Sequence, residues 1–396
     1  MASNGQPGNV TGTTAHLFGF ILTNSGGDVE NWVEYGTTTA YGSETTHIMS
    51  LAQANQSRSV FAELSGLQRS TTYHYRFCAR DSQQSGGPGC AQDATFTTAN
   101  LECGDVVTHD FTLSRSMFCG SFTTPGLVVG ADGIDINLGG RSFSGPRQLF
   151  QGSFTPIGID NTAGHDDVTI RNGSLDRWGV SIYLDGASFN TIRNMGMAPT
   201  SAGVRIEGGE SNSIRLSDLV GEAWGLFANR SDGLVVADST GAIWSARGNG
   251  ARIVRNVLRR GPDFSTCLSV SGNGNRIASN TVAGCPEGSL EIGSGANTEI
   301  VGNEVFGAYL GFPETGDPDG IHIGAFTAGT LLQGNFVHNN GDDGIDVRGT
   351  GTRLQDNRAE DNVDFGIDAV AGVTDLGGNT ATGNGNALQC RNVFCQ

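Results

Sequence analysis

The sequence has no apolar run of membrane-spanning length, no Cys-x-x-Cys pair and no block of basic residues. The first absence argues against a membrane span and the second against a zinc or dithiol redox site. The third matters because Asp and Glu number 40 against 23 Lys and Arg, a net charge of −17. No basic face remains for a phosphate backbone, so nucleic acid is not an expected partner. Proline is scarce at 10 residues, and the 61 glycines show no three-residue period, which excludes collagen and points to many tight turns. The opening residues Met1 to Gly5 lack the charged and apolar regions of a secretory leader.

Eight cysteines are present, and they fall as four close pairs: Cys78 with Cys90, Cys103 with Cys119, Cys267 with Cys285, and Cys390 with Cys395. That arithmetic predicts four local disulfides and an oxidising compartment, hence a secreted or cell-surface protein whose leader has been removed. The acidic balance suits solubility of such a protein and also tolerates cations.

A length of 396 residues allows a small domain followed by a long solenoid. From Thr11 to Thr98 short alternating runs (AHLFGF, NWVEYG, SVFAEL, TYHYRFCA, DATFTT) are separated by Gly, Ser and Asn turns. They predict an antiparallel β-sandwich over residues 1–99. Trp32 to Gly36, and Leu67 with Thr71 and Tyr73, resemble a core strand and the tyrosine corner of the fibronectin type III family. The resemblance implies a spacer or a weak carbohydrate-binding unit, whose first strand is expected to be truncated because only Asn9 to Thr13 precede the AHLFGF run.

Past residue 100 the period changes. Segments of the form apolar-x-x-Asn end at Asn172, Asn194, Asn256, Asn280, Asn303, Asn335, Asn357 and Asn379, several of them 22 residues apart, with Leu216 and Asp238 in intermediate places. A unit of 22 residues is too short for a helical repeat and fits one coil of a parallel β-helix. The pattern resembles the pectate-lyase-like superfamily of right-handed parallel β-helices over residues 100–396, all-β throughout. The asparagines look like its internal ladder, and the terminal cysteine pairs would close the two ends.

Before each asparagine segment lies a second strand, small-apolar-x-apolar. Its middle residues, Asp160, Ser181, Arg205, Phe227, Ser269, Glu291, His322, Asp346 and Asp368, are expected to form one outward column with a spacing of roughly 4.8 Å. In the superfamily this strand resembles the substrate groove. The step from Glu291 to His322 is 31 residues, so an inserted loop carrying Tyr309 and Phe312 is expected to overhang the groove and offer rings for sugar stacking. Arg171, Arg193, Arg215 and Arg255 form a further column on another face, read as solvated charge.

Asp317 to Ile323 and Gly341 to Val347 resemble consecutive rungs of the polygalacturonase family of inverting glycoside hydrolases. The resemblance implies Asp319 and Asp343 as matching carboxylates and Asp342 as general acid. The carboxylates of such a pair stand roughly 6.5 to 9.5 Å apart. The histidine expected one rung on, where Phe365 stands, and an Arg-x-Lys segment are not found. Asp-Gly-Ile is also ordinary at a turn-to-strand junction, Asp suiting the turn and Gly a positive φ. His322, beside Asp319 and Asp346, is placed for acid–base work or metal ligation with a raised pKa.

Three functions are consistent with these residues. The first is a secreted polysaccharide hydrolase using Asp319, His322, Asp342, Asp343 and Asp346, with Arg205, Phe227, Glu291, Tyr309, Phe312, Arg348 and Asp368 binding substrate. The second is a lyase or epimerase in which calcium on Glu291, Asp346 or Asp368 holds a uronate while His322 or Arg348 moves the proton. The third is a non-catalytic glycan-binding or fibre protein.

Overall fold

The computed structural model describes all residues except Met1, Asn9, Thr11, 23–26, Gln53, 82–86, 99–100, 148–155, 221–223, 260–265 and 310–317. The chain divides into two compact units, Met1–Glu102 and Cys103–Gln396. No helix occurs among the described residues.

In the first unit a three-stranded sheet and a six-stranded sheet share one core built on Leu17, Ile21, Val33, Tyr75 and Phe77. The alternation of Ala15–Leu22 explains the inward set, since every second side chain is buried. Ala2–Asn4 pairs antiparallel with that strand, Ala2 opposite Ile21, and supplies its edge. The Tyr73 hydroxyl accepts the backbone N–H of Gln68 at 2.9 Å, pinning the turn before its strand.

The second unit is a parallel β-solenoid. Its coils supply a 13-stranded sheet and a 21-stranded sheet, both parallel throughout. Ile321, Ile345 and Ile367 stack inward from the first sheet, and Ile277, Ile300, Leu332 and Leu354 from the second, all fully buried. Each coil alone could not hide these side chains, so stacking is what folds it. All four expected disulfides are present.

The asparagine ladder is shorter than the sequence suggests. Asn256, Asn280, Asn303, Asn335, Asn357 and Asn379 are buried and linked amide to amide along the axis. Asn172 and Asn194 lie one register earlier, in the left-handed corner that Leu216, Asp238 and Arg255 also occupy. The ladder place in those early coils belongs to Ser217 and Ser239, and Ser239 receives no asparagine until its N–H reaches Asn256. A single coil of 17 residues between Asp238 and Arg255 conceals the shift. For the same reason Arg255 leaves the arginine column, which keeps Arg171, Arg193 and Arg215, and pairs with Asp238.

Asn303 shows what the ladder contributes. Its Oδ1 accepts the backbone and side-chain N–H groups of Asn280, both at 2.9 Å, and its amide donates to the Ile277 carbonyl at 3.0 Å. Asn303→Ala would orphan these buried groups, each costing about 1–3 kcal/mol. Urea denaturation of the variant is expected to show a loss of about 3 kcal/mol, and a loss below about 1 kcal/mol would contradict a structural ladder.

Candidate functional site

The entry to each strand of the first sheet is crowded. A Cβ on Gly320 would stand 2.6 Å from the Gly344 carbonyl, and one on Gly344 would stand 2.6 Å from that of Gly366. Neither glycine has a positive φ, so these Asp-Gly-Ile glycines answer to close approach rather than to turn geometry. The small residue marks the register: Ser181 fills that entry place, is fully buried and donates to the Leu175 carbonyl. Tyr183, not Ser181, therefore stands in the outward column.

The observed column runs Asp160, Tyr183, Arg205, Phe227, Ser245, Ser269, Glu291, His322, Asp346, Asp368, Arg391. From Asp160 onward, Tyr183, Ser245 and Arg391 are the members that sequence reasoning missed, and Val106 and Val128 precede them on the same line. The signal was available for Tyr183, because Ser-Ile-Tyr fits the small-apolar-x template that Val-Ser-Ile violates.

At the C-terminal half two members of the column are shut off from solvent. Asp346 and Asp368 are 0% and 2% exposed although they project from the lateral face. His322 Nδ1 lies 2.9 Å from Asp346 Oδ2 and 3.4 Å from Asp319 Oδ2. Arg348 bridges the next coil, reaching Asp346 at 2.7 Å and Asp368 at 3.1 Å, and Arg391 pairs with Asp368 as well. The carboxylates of Asp319 and then Asp346 push the His322 imidazole up to about 10, against the effect of burial. It is a cation at neutral pH.

Asp319 and Asp343 act as caps between coils. Asp319 Oδ1 accepts the Asp343 N–H at 3.0 Å, and Asp343 Oδ1 accepts the Phe365 N–H at 2.8 Å. Asp343 is also an acid held neutral. Burial pushes its carboxyl up to about 8, with the charges of Asp319, Asp342 and Asp368 adding to it and the Phe365 N–H opposing. Oxygens of Asp342, Asp343 and Asp364 lie within 4.8 Å of one another, as do those of Asp343, Asp346 and Asp368. That is tighter than the roughly 6.5–9.5 Å an inverting pair keeps for water.

The other candidates are dispersed. Glu291 is one coil from His322 on the column. Tyr309 is tied by its backbone to Cys285 and Glu287, and Phe312 lies outside the described residues. Arg205 and Phe227 are not beside His322. They form an aromatic platform four coils and more away, where the Arg205 guanidinium sits 4.9 Å from the Tyr183 ring and 5.9 Å from that of Phe227, fixed by Glu207 at 2.8 Å.

Residues 240–392 match the family profile described as "Right handed beta helix region". A double mutant of the periplasmic alginate epimerase AlgG superposes on the chain with a TM-score of 0.50 at 14% identity, over 68% of this chain and 76% of that one. The solenoid is a right-handed parallel β-helix. Two other solved structures match less closely. The catalytic domain of a GH87 α-1,3-glucanase, in complex with tetrasaccharides, gives 0.49 at 11% identity over 96% of both chains. DFA-IIIase from Arthrobacter chlorophenolicus A6, in complex with DFA-III, gives 0.49 at 14% identity over 59% of this chain and 68% of that one. No curated protein matches the sequence.

Calcium fits poorly among these residues. Asp343, Asp346 and Asp368 offer hard oxygen ligands, but Arg348 and Arg391 already neutralise Asp346 and Asp368. A calcium ion there would have to displace both guanidinium groups, and Glu291 is not part of the cluster.

Proposed function

We propose that the β-helix is an enzyme acting on a polysaccharide laid along the His322 column, cleaving it by glycoside hydrolysis with Asp343 as proton donor. The observation that carries this reading is the pair of buried carboxylates, Asp346 and Asp368, on an outward strand beside the part-exposed His322. A solenoid wall needs no buried charges there, and burying them costs several kcal/mol per ion before pairing recovers it. Expense of that kind concentrates at active sites.

Within the reading, charge state and position support the following roles. Asp343 holds a proton at neutral pH, as a general acid must. Asp342 and Asp364, less buried and close to it, supply the second carboxylate. Their spacing suits a retaining pair, separated by roughly 5–5.5 Å, better than the inverting pair expected from sequence. Asp319 and Asp346 position the His322 cation against the substrate. The Tyr183, Arg205 and Phe227 platform lies on the same column, placed to hold a more distant sugar. Four disulfides agree with work outside a reducing cytosol.

One observation favours a second reading. His322, Arg348 and Arg391 present three part-exposed cations on neighbouring coils, which suits neutralising a uronate carboxylate in a lyase or epimerase. A panel of neutral and acidic polysaccharides, read for both reducing ends and absorbance near 235 nm, separates the two. New reducing ends without ultraviolet absorbance are expected. Absorbance at 235 nm would replace hydrolysis with elimination, and a chelator arm would show whether a metal is needed.

A further inference from the structure

On the face that carries His322, Arg205, Arg348 and Arg391 are each held by carboxylates. Arg230 and Arg247 differ. Among the described residues, neither side chain has an ion pair or hydrogen bond. Both are exposed, and both line an open cavity of about 450 Å³ with Asn229, Asp232, Asn249 and Ser271.

The fold places this cavity on the groove. Arg247 pairs in register with Asn229 before it and Ser271 after it, two residues past Phe227, Ser245 and Ser269, so it projects from the same side as the column. Three coil steps separate it from His322, about 14 Å at roughly 4.8 Å each. The polar neighbours are committed elsewhere. Asp232 Oδ1 accepts the Asn249 backbone N–H at 2.7 Å and its side-chain amide at 3.2 Å, while the Asn229 amide donates to Glu207 at 2.9 Å. Two uncommitted guanidinium groups face one carboxylate that already accepts hydrogen bonds.

We propose that this cavity binds an anionic substituent of the glycan, a uronate carboxylate or a sulfate ester, on the same chain that passes His322. The inference rests on the polysaccharide reading above and narrows it to acidic polymers. A guanidinium fork matches the paired oxygens of either anion. In a protein of net charge −17 a polyanion is repelled overall, so recognition needs local cations that no acid of the chain has claimed.

The test is binding of the full chain to alginate, dextran sulfate and dextran, at low salt and at about 0.5 M salt. The wild type is expected to bind one of the two acidic polymers in preference to dextran, and to bind it less tightly in high salt. The identity of that polymer distinguishes carboxylate from sulfate. The R230A/R247A double variant, and separately Arg247→Glu, should weaken that binding by at least about tenfold with melting unchanged. Equal binding by variant and wild type, preference for dextran, or no binding to any of the three would overturn the proposal. The two readings fail differently. Arginine-dependent binding without any product defeats the enzymatic reading and leaves this one, whereas cleavage of a neutral polymer with unchanged kinetics in the double variant defeats this one alone.

Discussion

Asp343→Asn is expected to reduce turnover on the cleaved polysaccharide by about 10²–10⁴-fold, the usual contribution of a positioned general acid. Folding should survive the change, because Asn keeps the shape and its side-chain oxygen can still accept the Phe365 N–H. The pH dependence gives an independent signature. The folded carboxyl is raised from 3.8 to about 8, so between those values the folded chain binds a proton that the unfolded chain has lost. Stability therefore falls as pH rises through that window. His322, raised from 6.5 to about 10, acts in the same direction over a higher window: its contribution is complete below its unfolded value and is lost as pH climbs to about 10. Thermal melts should show a wild type that weakens from mildly acidic to alkaline pH. Asp343→Asn should flatten the lower part of that slope and melt above the wild type near pH 9. Full activity in the variant, or an unchanged slope, would remove Asp343 from the acid role.

Arg348→Ala is expected to produce a large loss of stability. The guanidinium joins two carboxylates whose side chains are 1% and 3% exposed. Without it, among the described residues, Asp346 keeps His322 and Asp368 keeps Arg391 as ionic partners. Removing one partner of a buried pair costs about 3–5 kcal/mol, and the lower end applies because the guanidinium is itself 37% exposed. Urea denaturation of the variant and wild type measures the loss, and a deficit below about 1 kcal/mol would mean that the guanidinium does not sustain the two buried carboxylates.

Much of this was legible in the sequence, for identifiable reasons. Buried aliphatics at alternate positions, as in Ile345 and Val347, recur with each coil because the coil length is set by stacking. The cysteine pairs could be matched because each closes a short loop. Register was harder. Ser181 was assigned to the outward column because a polar residue between Val180 and Ile182 mimics an outward one, and only the crowding at that entry place reveals it as the small residue. Asn172 and Asn194 look equivalent to Asn256 in sequence because a coil of 17 rather than 22 residues breaks the count and hides a one-residue offset.

The chemistry around His322 was partly legible too. The outward placement of His322, Asp346 and Asp368 follows from alternation, and their adjacency follows from the coil period. Their burial does not, because it depends on Arg348 and Arg391 folding back over the carboxylates. Nothing in the sequence order joins Arg391 to Asp368, since the pair forms only when the last coil stacks. The raised carboxyl of Asp343 likewise comes first from burial, and then from Asp319 and Asp368, which stacking brings beside it and its sequence neighbour Asp342.

The most direct measurement of the central claim compares three proteins on whichever polysaccharide the wild type cleaves: the wild type, His322→Ala, and Arg193→Ala as a control on the second sheet. Product formation should be lost in the His322 variant and kept in the Arg193 variant, with both proteins folded. Equal rates in all three would contradict a catalytic site at His322.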